Sequence, residues 1–88
     1  MMRELILRGI GVAVVGMYVE DIGGRRMAPR AGAQSYQGSG WRIELSEGEN
    51  VRVGSVQLGV TAVRIEGPDQ VVERVEAILS RKVLRAGG

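Results

Sequence analysis

Trp41, Ile43 and Leu45 alternate with Arg42, Glu44 and Ser46, a strict period of two that suits a strand with one buried and one wet face. Glu47-Gly48-Glu49-Asn50 then supplies turn chemistry, and Val51 and Val53, with Arg52 between them, read as the returning strand of a hairpin. The alternation slips by one at Gly54-Ser55, resumes as Val56, Leu58 and Val60, and slips again before Val63 and Ile65. One-residue slips beside glycine are what bulges or tight turns produce, so a bulge is expected at Gly54 and a turn or second bulge near Gly59.

After Ile65 the period changes. Pro68 in Gly67-Pro68-Asp69-Gln70 suits a first helical position, and Asp69 sets a negative charge at the positive end of the helix dipole. Val71, Val72, Val75, Ile78 and Leu79 recur at three- and four-residue spacing, with Glu73, Arg74, Glu76, Ser80 and Arg81 on the other side. The spacing predicts an amphipathic helix to about Lys82. Val83-Leu84-Arg85 then reads as a terminal strand or frayed tail, and Ala86-Gly87-Gly88 as mobile.

Toward the N-terminus, Leu5, Ile6 and Leu7 between Arg3 and Arg8 read as a strand. The uncharged stretch Gly9 to Val19 is too short to span a bilayer as a helix, lacks an A-x-A cleavage site, and runs straight into Glu20 and Asp21. Its β-branched residues and glycines predict a second core strand, with Ile10, Val12 and Val14 on one face and Gly11 and Ala13 on the other. A cytoplasmic location is expected. From Ile22 to Gly40, glycines, Pro29 and the lack of large aliphatic residues predict a long loop, where functional residues tend to sit.

The expected architecture is α+β: four to five mainly antiparallel strands with one C-terminal amphipathic helix packed on one face. A chain of 88 residues builds one small core, which predicts a single domain spanning residues 1–88. Its 25 Val, Ile and Leu residues, spread over imperfectly alternating strands, point to an apolar second sheet face. A symmetric partner would bury that face most simply, so a homo-oligomer is expected.

With no Cys and no His, disulfide frameworks, thiolate zinc sites and His-based acid–base chemistry are excluded. No cofactor or metal is called for, and a non-enzymatic role is expected. Basic residues number 12 against 10 acidic, and all of the basic ones except Lys82 are Arg. That bias fits a thermophilic or GC-rich source as well as any binding role. Position is more informative than the total. Arg25, Arg26, Arg30 and Arg42 fall between Ile22 and Ile43 with no acid among them, accompanied by Tyr36 and Trp41. Guanidinium groups suit phosphates, the two rings suit base stacking, and Gly23-Gly24 would let backbone N–H groups approach an anion. Glu47 and Glu49 with Asn50 fall short of a divalent-cation ligand set. The glycines at 9, 11 and 16 match neither the dinucleotide nor the phosphate-loop pattern.

Three resemblances are partial. Arg85-Ala86-Gly87-Gly88 resembles the diglycine tail of ubiquitin-like modifiers, over the tail alone. Those folds put their main helix after the first hairpin, whereas the expected helix here is C-terminal. Val63 to Gly67 followed by Val71, Val75 and Ile78 is similar to the closing strand and helix of KH-type RNA-binding domains, without their G-x-x-G loop between two helices. Arg8-Gly9-Ile10 and Glu66-Gly67-Pro68 resemble acylphosphatases, whose arginine and asparagine have no counterpart at Met17-Tyr18 or Ile43-Glu44. None is adopted. The residues point instead to a small binding module whose Gly/Arg loop meets RNA, DNA or a phosphorylated small molecule. The alternative is an assembly or protein-interaction module that makes contact through an apolar sheet face.

Overall fold

The computed structural model describes residues 1–49 and 51–87. Strand β1 (Met2–Arg8) leads into helix α1 (Val12–Asp21), followed by β2 (Arg25–Arg30), β3 (Ala33–Gln37), β4 (Arg42–Glu47), β5 (Val51–Val53), β6 (Val56–Leu58), β7 (Val60–Glu66) and helix α2 (Asp69–Gly87). Five strands form one sheet in the order β1-β7-β4-β3-β2, and every pairing in it is antiparallel. Strands β5 and β6 pair only with each other, as a separate two-stranded sheet. The α+β architecture, the main antiparallel sheet and the C-terminal helix are as the sequence predicts.

The core lies on one face of the sheet. Ile43 and Leu45 of β4, Val63 and Ile65 of β7 and Tyr36 of β3 pack beneath Val15 and Val19 of α1 and Val72, Val75 and Leu79 of α2. Each of these aliphatic side chains contributes on the order of 1.5–3 kcal/mol by leaving water. An ion pair between Arg3 and Glu76, at 3.0 Å, ties β1 to α2 at the edge of this layer.

The segment expected to be a second core strand is α1. Val12, Val15, Gly16, Val19 and Ile22 recur at helical spacing and all meet the core or its margin. Gly16 is needed where it stands, because a Cβ there would collide with the Tyr36 hydroxyl. The helix closes in a Schellman arrangement: the Gly24 N–H donates to the Val19 carbonyl at 2.9 Å and the Gly23 N–H to that of Glu20 at 3.0 Å, with Gly23 at φ +104°.

The expected long loop is largely a hairpin of β2 and β3. Its tip is the two-residue turn Ala31-Gly32, with φ of +50° and +78°, as a type I′ turn requires. Pro29 falls where the β2–β3 register shifts between Met27 and Arg30, a bulge that also blunts the sheet edge. Strand β4 is not returned by β5 as expected but pairs with β3 and β7. Asn50, in the turn expected there, lies outside the described residues. Gly54 marks the tight turn of the β5–β6 hairpin rather than a bulge. At the C-terminus α2 passes the expected end and runs through 83–87 without a strand or tail; Gly88 lies outside the described residues.

Candidate functional site

Residues directly opposite one another on neighbouring strands share a face, so the register sorts the four arginines. Arg25 faces Gln37, Gln37 faces Arg42, and Arg42 faces Glu66, all on the side away from the helices. Arg30 pairs with Ala33 and joins them near the hairpin tip. Arg26 pairs with Tyr36 and lies on the helix side, at the margin of the core. The open face thus brings together Arg25, Arg30 and Arg42, and Arg26 flanks the same edge from behind.

Burial sorts them further. Every residue of β2 is exposed, and Arg42 is half-buried. Among the described residues none of the four arginines forms an ion pair, whereas Arg64, on the same open face, is held by Glu4 at 3.5 Å. The acids of this face, Glu4, Glu44 and Glu66, stand on β1, β4 and β7. Charge is therefore divided across the sheet, with acids and Arg64 interleaved on one half and unpaired guanidinium groups along the β2 edge. Arg30 and Ala31 line, together with Arg64, Glu44 and Ile6, a groove of about 350 Å³.

Tyr36 and Trp41 are not available for stacking. Tyr36 is 1 % exposed, its hydroxyl donating to Gln34 Oε1 at 2.9 Å, and Trp41 is 7 % exposed. Gly38 gives Trp41 its room, since a Cβ there would overlap the indole. Burial pushes the Tyr36 phenol above its ordinary 10.0, an effect opposed by the nearby Arg26 guanidinium and reinforced by Glu20. Nor is Gly23-Gly24 free to receive an anion, because both N–H groups are consumed in closing α1.

The open face also differs from the expected apolar one. Two of its rows read Glu4, Arg64, Glu44, Ser35, Met27 and Met2, Glu66, Arg42, Gln37, Arg25, the cross-strand alternation of charge typical of an antiparallel sheet that faces water, and only the row of Ile6, Ala62 and Ser46 carries no charge. A homo-oligomer buried through this face has no support. Among the described residues no group of three or more carboxylates could hold a metal ion, and no helix is long and apolar enough to cross a membrane. Sequence reasoning missed the edge-strand setting of Arg25, Arg26 and Arg30. The one signal for it was Arg30-Ala31-Gly32, in which a glycine follows a small residue at a turn between two polar runs.

Among known families, the model described as "Archaeal MoaD-like protein" matches residues 3–88. No curated protein matches the chain.

Proposed function

The chain belongs to the archaeal MoaD-like family, and within that frame we propose that it is a non-enzymatic binding module that meets a phosphate-bearing partner along its β2 edge. The observation that carries the reading is the fully exposed strand Arg25–Arg30, with three arginines, no acid and no ion pair among the described residues, backed by Arg42 on the next strand but one. Guanidinium groups contact phosphates in a bidentate manner and keep their charge at any working pH. With Tyr36 and Trp41 in the core, binding uses the phosphate backbone and not the bases. RNA or DNA is the first expected partner, held with little sequence preference, and a phosphorylated small molecule the second.

The test is a titration of a fluorescent oligonucleotide against the wild type and the R25A/R26A/R30A variant. These side chains are exposed, so the variant should keep its fold while affinity falls at least tenfold. Equal affinity for the two proteins would remove the proposal. A second reading rests on the family match itself, which extends across Arg85-Ala86-Gly87-Gly88, the segment that resembles modifier tails. In that reading the protein engages a protein partner through this tail. The chain order supports it less: α1 follows a single strand, not a hairpin, and α2 runs up to Gly87. Replacing Gly87 and Gly88 by Ala would abolish such a contact and leave oligonucleotide binding intact.

A further inference from the structure

Strand β1 closes the main sheet on the side opposite β2, and among the described residues no strand pairs with its outer edge. The direction of its backbone groups follows from the bonds at its two ends. The Gly9 N–H donates to the Gly59 carbonyl at 2.8 Å and the Gly67 N–H to the Met1 carbonyl at 3.1 Å, and both pairs continue the β1–β7 register. In an antiparallel ladder successive residues aim N–H and C=O to alternate sides. Arg3, Leu5 and Leu7 therefore bond to β7, whereas Met2, Glu4, Ile6 and Arg8 aim theirs outward. Unlike β2, with its Pro29 and register shift, β1 carries no proline and pairs without a shift from Met2 to Arg8. A long, regular edge of this kind is a template for another strand.

Side chains say which strand. Glu4, Ile6 and Arg8 lie exposed on the open face, with Ile6 56 % exposed. Glu4 and Arg8 stand symmetrically on either side of Ile6, and among the described residues Arg8 forms no ion pair. Leu5 and Leu7 lie on the helix side, half-buried at the margin of the core.

We propose that β1 pairs antiparallel with β1 of a second copy of this chain, about a two-fold axis at Ile6, joining the two sheets into one. In that register Glu4 meets Arg8 of the second copy, Arg8 meets its Glu4, and Ile6 meets Ile6. Each of these pairs is of outward-aimed residues and exchanges both backbone hydrogen bonds. On the helix side Leu5 meets Leu7, which extends the half-buried margin of each core. The neighbouring registers are worse. An axis at Glu4 or at Arg8 sets like charges directly opposite, and an axis at Leu5 or Leu7 sets a charge opposite Ile6. Only the axis at Ile6 matches both charges, and it does so with the strand's own reverse, as a two-fold contact requires. The row across the join then reads Arg8 of the second copy, Glu4, Arg64 and Glu44, continuing the charge alternation already present on β1, β7 and β4. Both β2 edges fall at the far ends of the joined sheet.

Sedimentation velocity of the full chain at concentrations up to about 1 mM should give a weight-average mass rising toward twice the monomer. Glu4→Arg alone and Arg8→Glu alone each set like charges opposite, and each should stay monomeric with an unchanged circular dichroism spectrum. An equimolar mixture of the two variants should dimerise again, because every charge in the mixed pair meets its opposite. Ile6→Pro removes an outward N–H without touching a bond to β7, and it should weaken association by about tenfold or more; it serves alone should the charge variants disturb the Glu4–Arg64 contact. A wild type that stays monomeric at about 1 mM overturns the proposal. So does undiminished association in a folded single variant, or a mixture of the two folded charge variants that fails to dimerise. The R25A/R26A/R30A variant should dimerise as the wild type does, so failure here is separable from failure of the phosphate-binding reading.

Discussion

Tyr36 is the residue at which burial reassigns a side chain. A tyrosine beside four arginines invites stacking on a base, yet its ring fills the space above Gly16 and its hydroxyl is spent on Gln34. The consequence is measurable. The folded-state phenol titrates above 10.0 because burial disfavours the phenolate, whereas the unfolded chain ionises near the ordinary value of about 10. Below that pH both states keep the proton and the shift has no effect. As pH rises past it the unfolded state loses its proton first, so stability falls until the folded-state pKa is passed. Urea unfolding between about pH 9 and pH 11 should show a steeper loss for the wild type than for Tyr36→Phe. Parallel curves would mean that the phenol is not desolvated. Gly38→Ala should cost roughly 1–3 kcal/mol of unfolding free energy by forcing the Trp41 ring aside.

At the scale of elements, β4, β7 and α2 were legible because each carries a complete period: Trp41 to Ser46 in twos, Val63 and Ile65 in twos, Val72 to Leu79 in threes and fours. Helix α1 was hidden by its own composition. Ile10, Val12 and Val14 match a strand alternation, and the three- and four-residue spacing of Val12, Val15, Val19 and Ile22 that marks the helix runs through Gly16, a residue that normally argues against one. The β2–β3 hairpin escaped notice for a different reason. An edge strand exposed on both faces needs no aliphatic residues, so Arg25 to Arg30 carries no periodic signal at all. Such edges are commonly protected by charge, proline and bulges, and Arg25, Arg26, Arg30 and Pro29 do that work whether or not they also bind. The Schellman closure of α1 gives the element-scale prediction. Gly23→Ala places a Cβ at φ +104° and should destabilise the fold by about 1–2 kcal/mol in chemical unfolding. A neutral effect would contradict the closure described for α1.

Across the whole molecule, net charge is a poor guide and its distribution a good one. The formal charge is +2, but the open face separates interleaved acids and Arg64 on β1, β7 and β4 from unpaired arginines on β2. The sequence disclosed the basic segment and its lack of acids; it did not disclose that three of its four arginines share one face, which depends on the strand register. The same register sets mostly charged and polar residues on the open face, with Met2, Ile6 and Met27 as its exposed apolar side chains. The claim that the β2 edge recognises phosphates predicts a steep salt response. Three to four phosphate contacts on a duplex should give a slope of about −3 in a plot of log affinity against log salt concentration. The R25A/R26A/R30A variant should reduce that slope toward about −1. A wild-type affinity that does not change with salt would contradict the account.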